Sequence, residues 1–386
     1  MDRLVISIES FAVLLLAPLG YWLLPHQKLR TLYLSLVSLG LVAYWDKFAA
    51  VVVIALTSFS YGIGYLIETR ANRKLYRTIG VVGLLLALVL FKYLGFIGDT
   101  VNSLLQLFGN YSHASLGAIV RPLGISYLVF KLMSYLIDLR QGLITKGRFL
   151  DVLLYGSLFT IFVAGPIERF EKFKPQVESV ARGFNIEHLE AGFQRIVFGL
   201  FKKVVIADWI GYLIVPIWRN AGDVSLLMKT LGLVGFSVQI YMDFAGYSDI
   251  AIGASRLFGL RIMENFDWPY LSPNTGQFWR HWHISLSSWI RDYIFFPLGR
   301  KSKSKIWALF IVPVVAMGLS GLWHAPSWRF LIWGVWHGLG LSVYLYWNYN
   351  KRYYGWIGSV SESRIFTVFG TILTYVFFTI GLLWFD

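Results

Sequence analysis

Long apolar runs recur along the whole chain, and they fix the solvent in which it has to fold. LVISIESFAVLLLAPLGYWLL at 4–24 and FAAVVVIALTSFSYGIGYLI at 48–67 are two of them. A helix that crosses a bilayer needs about 20 predominantly apolar residues. Further runs lie at 31–45, 79–98, 121–138, 149–165, 193–218, 226–244, 306–322, 328–347 and 365–385, about 11 in all. Only 15% of the residues are charged, against roughly a quarter in a soluble domain. So little polar surface could not cover a globule in water. The chain therefore reads as an all-α, polytopic membrane protein with about 11 transmembrane or re-entrant helices.

The first run is too long for the apolar core of a signal peptide, and Asp2 beside Arg3 makes a poor basic leader. The absence of cysteine excludes a thiol nucleophile and a thiolate metal site. A net charge of +14 would suit nucleic acid, but the basic residues sit in short loops between apolar runs. There they set orientation, because cytoplasmic loops are enriched in Lys and Arg. Lys28 and Arg30 follow the first run, and Arg70, Arg73, Lys74 and Arg77 follow the third. Those loops are expected in the cytoplasm together with RKSKSK at 300–305, with the N-terminus outside.

No period of 20–50 residues and no pair of similar halves is visible, so neither a solenoid nor an inverted-repeat transporter is indicated. With no linker, residues 1–386 read as a single domain. The polar stretch ERFEKFKPQVESVARGFNIEHLE at 168–190 alternates charged and aromatic residues and reads as an amphipathic interfacial helix or loop. Pro269, Pro273, Gly276, Pro297, Gly299, Pro313, Gly318, Gly321 and Pro326 punctuate the second half. Backbone groups freed at such breaks must be satisfied by protein or enclosed water. The cluster therefore predicts a buried cavity there.

Of seven histidines, His26, His113 and His188 fall in polar segments and receive no role. His281, His283, His324 and His337 lie in the broken half among tryptophans. Ionisable groups at membrane depth are costly and usually functional. His324 is flanked by Gly321, Trp323, Pro326 and Trp328, with no acidic residue close by in sequence. His337, in WGVWHG, fits either function or close helix packing. In QFWRHWHISLSSWIRDYIFFPLG at 277–299, a continuous helix would put Trp279, His283, Leu286 and Ile290 on one face and turn His281 away. Arg291 and Asp292 can pair or bind a polar ligand. Asp243 and Asp249, in QIYMDFAGYSDIAIG, could bind a cation, cap broken helices, or tether a basic side chain on another helix. Their spacing matches no metal-ligand set, so no metal is expected.

Histidines kept neutral by burial suit general-base catalysis, taking a proton from a hydroxyl that attacks an activated acyl group. A second imidazole or a backbone N–H would stabilise the oxyanion. From the residues alone, a proton-coupled transporter and a polysaccharide synthase stay open as alternatives.

The blocks QIYMDFAGYSDIAIG, ENFDWPYLSP, QFWRHWHISLSSWIRDYIFFPLG and GLWHAPSWRFLIWGVWHG, in this order, resemble the membrane-bound O-acyltransferase family. Its bacterial alginate O-acetyltransferase branch is the most similar, and RPLGISYLVFKLMSYLIDLRQG and AGPIERFEKFKPQ resemble that branch too. The resemblance covers about residues 121–347. It implies a ring of helices around a central tunnel, with His324 as the catalytic histidine and His283 at the family's second functional position, which is Asn or His. It also implies an acetyl-CoA donor on the cytoplasmic side and an exported polysaccharide or envelope glycan as acceptor. Transfer is expected to be direct or through a periplasmic acetyltransferase partner. The alternative is D-alanyl transfer from a carrier protein to a cell-wall polymer.

Asp243, Asp249, Trp279, Arg291, Asp292, Trp323 and His337 are the expected supporting residues. The cofactor-binding residues are left unassigned, no nucleic acid is expected, and the setting is a bacterial inner membrane. Two departures stand out. His281 occupies a position where the branch usually has arginine, and Ala325 follows His324 where it often has glycine. The chain also ends at GLLWFD, where relatives usually continue with more helices.

Overall fold

The computed structural model describes residues 8–107, 120–179, 183–220, 222–300, 304–351, 353 and 363–385. His113, the Asp2–Arg3 pair and the middle of the RKSKSK run lie outside the described residues. The regular elements among the described residues are all helices, with no strand. The helices are α1 Ile8–Leu23, α2 Gln27–Trp45, α3 Lys47–Thr69, α4 Arg73–Leu88, α5 Leu94–Leu107, α6 Ile125–Gln141, α7 Phe149–Ser157, α8 Phe159–Phe162 and α9 Phe170–Glu178. There follow α10 Ile186–Leu200, α11 Asp208–Arg219, α12 Leu226–Leu257, α13 Thr275–His281, α14 Ile284–Ile290, α15 Phe296–Arg300, α16 Val312–His324, α17 Trp328–Lys351 and α18 Arg364–Gly381. Wide π-helical turns lie at Val89–Tyr93, Phe201–Ala207, Arg291–Phe295 and Trp307–Ile311.

Among the described residues, four stretches are long and apolar enough to cross a membrane by themselves: Lys47–Thr69, Arg73–Leu107, Trp307–His324 and Arg364–Trp384. Large side chains such as Leu16, Leu23, Leu86 and Ile365 stand exposed on these and neighbouring helices. Apolar surface of that kind requires a lipid environment.

Two compact units are present, Met1–Ile196 with Ile250–Met263, and Val197–Asp249 with Glu264–Asp386. In the first, α6 packs on α3 and α4, and α7 packs on α2 and α3. Glycines at positive φ bracket α6, Gly124 at 71° and Gly142 at 77°. Lys131, fully buried on α6, donates to the carbonyl of Tyr155 at 2.6 Å and that of Gly156 at 3.4 Å. These carbonyls lie in the last turn of α7, where helix geometry provides no backbone donor.

In the polar stretch at 168–190, α9 is amphipathic, and its apolar side is buried in the first unit. Glu168, Phe170 and Phe173 are fully buried. The Glu168 carboxylate accepts N–H bonds from Arg169 at 3.1 Å and Met263 at 2.8 Å. Burial pushes its carboxyl above the usual range, and those two donors oppose the shift.

The second unit is organised by the α16–α17 hairpin. A Cβ built on Gly321 would meet the Phe330 carbonyl oxygen at 2.1 Å, and one on Gly334 would meet that of Met317 at 2.2 Å. At Gly338 it would lie 2.5 Å from Val314 Cα. Small residues let two helix backbones touch, which is how helices associate where lipid removes the hydrophobic drive. The glycine after His337 thus serves close packing. This contact fixes His324, the last residue of α16, relative to Trp333 and His337 on α17.

Gly334→Ala is expected to destabilise the detergent-solubilised protein by about 1–3 kcal/mol, the usual range for overpacking a tight core. Gly299→Ala is the control, since nothing lies within 4 Å of its added Cβ. Thermal unfolding of the two variants side by side checks this, and equal midpoints would contradict it.

Candidate active site

The site in the second unit is built around a break in the helix expected at 277–299. Helix α13 stops at His281, Trp282 is extended, and His283 takes the left-handed conformation (φ 44°, ψ 53°) before α14 begins. The continuous-helix reading, with Trp279 and His283 on one face, is therefore corrected. His281 and His283 still differ in environment, His283 being buried and His281 half-buried. Histidine is among the few side chains that enter the left-handed region with some ease.

A facing loop supplies partners for the broken backbone. The Asp267 N–H donates to the His281 carbonyl at 3.0 Å, and the Ile284 N–H to the Asn265 carbonyl at 2.9 Å. Asn265 is itself fully buried. Its Oδ1 accepts from the Ser285 N–H at 3.2 Å and lies 3.3 Å from His283 Nδ1. Its Nδ2 donates to Ser248 Oγ at 3.1 Å. The other ring nitrogen of His283, Nε2, is buried and has no hydrogen-bond partner among the described residues. Phe244 packs edge-on to the imidazole at 4.7 Å.

His324 comes to the same place from the end of α16. Its ring centre lies 6.0 Å from that of His283, in an edge geometry. Trp323 borders both rings, at 5.1 Å from His324 and 6.2 Å from His283. Trp333 stands edge-on to His324 at 5.3 Å and touches His337 at 4.8 Å. His337 is fully buried and also meets Trp279 at 5.1 Å. His337 Nε2 and the indole N–H groups of Trp279 and Trp333 are buried without hydrogen-bond partners among the described residues. Buried polar atoms are otherwise nearly always paired.

The acidic residues sort differently. Asp243 and Asp249 tether lysines on the Phe201–Ala207 π-turn, with Lys203–Asp243 and Lys202–Asp249 each at 2.6 Å. Of the three roles open for them in the sequence, the tether is the one realised. Arg291 and Asp292 pair with each other at 2.8 Å, and both are exposed. Arg291, Arg280 and Trp279 border a largely apolar cavity of about 280 Å³ together with Ser287, Met317 and Tyr344. Neither His283 nor His324 is in its lining. Among the described residues no group of three or more His, Asp or Glu side chains is arranged to hold a metal.

Asn265 is the residue that sequence reasoning passed over. Its signal was an amide in the aperiodic, Pro-containing ENFDWPYLSP segment. Amide side chains are well suited to satisfying loop backbone there.

The chain matches the model of the membrane-bound O-acyltransferase family over residues 4–352. It is 35% identical over 333 residues to a probable alginate O-acetylase of Azotobacter vinelandii, covering 84% of this chain and 65% of that protein. It is 29% identical over 376 residues to a peptidoglycan O-acetyltransferase of Helicobacter pylori, covering 89% and 70%. A teichoic acid D-alanyltransferase of Streptococcus thermophilus is 32% identical over 245 residues, covering 60% and 58%. The chain spans 62–68% of the length of the alginate O-acetylases it matches.

The two kinds of ion pair predict different costs. Asp249→Ala leaves the Lys202 ammonium without its partly buried partner and is expected to cost about 1–3 kcal/mol. Asp292→Ala, at an exposed pair, is expected to stay within about 1 kcal/mol. Thermal unfolding in detergent reads both, and a costlier Asp292 variant would contradict the assignment.

Proposed function

The chain belongs to the membrane-bound O-acyltransferase family, and on that premise we propose that it moves an acetyl group from cytoplasmic acetyl-CoA to hydroxyls of an exported polysaccharide or envelope glycan. The observation that carries this reading is the pairing of His283 and His324. Two separate elements bring these rings to 6.0 Å, in a setting of tryptophans and unpaired polar atoms. Acetyl transfer is favoured over D-alanyl transfer by coverage, 84% of the chain against 60%. The whole chain acts as one functional domain in the bacterial inner membrane, with the N-terminus outside and the basic loops in the cytoplasm. Transfer ends on the glycan directly or on a periplasmic partner that relays it.

His324 is the general base. It takes the proton of the acceptor hydroxyl as that oxygen attacks the thioester carbonyl carbon. The tetrahedral intermediate collapses with cleavage of the C–S bond, and the departing coenzyme thiolate takes the proton back from the imidazolium. No metal is needed, because a properly placed base and a water-poor site supply the activation. His283 is the second histidine at the reacting atoms. Trp323 walls both rings, Trp279 and His337 line the neighbouring polar cluster, Asp243 and Asp249 tether the Lys202–Lys203 turn, and Arg291, paired with Asp292, borders the adjoining cavity.

Transfer of labelled acetyl from acetyl-CoA to an alginate or peptidoglycan oligosaccharide, by protein in lipid nanodiscs, tests the reading. His324→Ala should lower the rate about 10²-fold or more while the protein stays folded. His283→Gly removes the imidazole but tolerates φ 44°, and should cost about 2–4 kcal/mol of transition-state stabilisation. His281→Arg should retain substantial activity. A folded His324→Ala protein with near-normal transfer would sink the assignment.

Orientation gives a further check. A tag at the N-terminus should react with an impermeant reagent from outside, and Arg73→Cys should not. Labelling of the position 73 thiol from outside would reverse the proposed donor side.

A further inference from the structure

We propose that Asn265 is a positioning residue for the transfer reaction: it holds the His283 imidazole protonated on Nδ1 and so presents Nε2 as a bare acceptor. This rests on the acyltransfer reading and deepens it. The orientation of the Asn265 amide is fixed from two sides. The Ser285 N–H can only donate, so the atom it meets at 3.2 Å is the oxygen, Oδ1. The Nδ2 group faces Ser248 Oγ at 3.1 Å. Oδ1 also lies 3.3 Å from His283 Nδ1. Two lone pairs at that separation would repel, so Nδ1 carries the proton and Oδ1 accepts it. In a neutral imidazole only one nitrogen is protonated, which leaves Nε2 with its lone pair.

That lone pair is buried and has no partner among the described residues. A neutral His283 of this tautomer cannot donate to an oxyanion. It can only accept, and the donor consistent with His324 as the base is an N–H of His324, the ring beside it at 6.0 Å. The pair therefore works with one imidazole oriented by an amide from behind. The arrangement has the logic of a base held by a third group. An uncharged holder suits a buried site, because a carboxylate in its place would stabilise the imidazolium and remove the free base. Among the described residues, the groups facing the His283 ring are the uncharged Phe244, Asn265 and Trp323 and one titratable side chain, His324.

Full-length protein labelled with ¹⁵N-histidine in nanodiscs gives a readout that needs no turnover. The His283 signals, identified by their loss in His283→Gly, should show a protonated Nδ1 and a bare Nε2. Asn265→Asp keeps the acceptor and adds a charge, so the His283 imidazolium should persist to higher pH. The acid limb of kcat/KM for acetyl transfer from acetyl-CoA should then move up by about one pH unit or more. Asn265→Leu removes the acceptor, and should lower kcat at least about tenfold with little change in KM. A protonated Nε2 in the wild-type protein overturns the proposal. So does an Asn265→Asp protein whose acid limb stays in place. If Asn265→Leu fails to fold, the wild-type spectrum and the Asn265→Asp profile still decide. If the wild-type protein transfers no acetyl from acetyl-CoA, the proposed donor falls, and the spectrum alone decides the tautomer.

Discussion

Where the chain breaks at Trp282 and His283, the freed peptide groups must find partners inside the protein, since hydrocarbon offers none. The loop around Asn265 and Asp267 meets that demand with two backbone bonds and one amide side chain. The rest of the second unit's chemistry follows from this closure. It lets a helix end in the protein interior and turns His283 into a left-handed corner residue. It also joins the ring of that residue to the same amide that satisfies the backbone. One side chain thus serves the fold and the site together, and for that reason a loop asparagine lies as deeply buried as any leucine of the core.

The second requirement is that His324 arrive within reach. Here the glycines of α16 and α17 matter more than any polar contact. With Gly321, Gly334 and Gly338 in backbone contact, the hairpin has almost no freedom to slide. The ends of α16 and the middle of α17 then carry His324, Trp333 and His337 as one rigid set. A site whose histidines sit on such elements avoids the misplacement that costs catalysis most.

Much of this was legible in the residues. Apolar run length identified the membrane solvent, and the Pro and Gly clustering located the broken half. The rarity of histidine there drew attention to His283 and His324. The Asp243 and Asp249 tether was one of several readings, and only the lysines of the Phe201–Ala207 turn decided it. What the sequence hid was local geometry. A helical period continued on paper through Trp282, because nothing in QFWRHWHISL announces a left-handed residue. Histidine and asparagine both tolerate that conformation. This gives a physical reason for a position filled by Asn or His in the family that the chain resembles. In the 168–190 stretch the sequence showed an amphipathic helix, but not that Glu168 would be buried with Phe170 and Phe173.

The central claim is that His283 and His324 form one working unit. Residues that act as a unit are strongly non-additive, so that losing both costs little more than losing the more important one. The decisive measurement is the acetyl-transfer rate of the His283→Gly/His324→Ala double variant beside the two single variants, in the same nanodisc preparation. The account predicts a double variant no slower than about the slower single one. A rate equal to the product of the two separate losses would mean that the histidines act independently, and would contradict it.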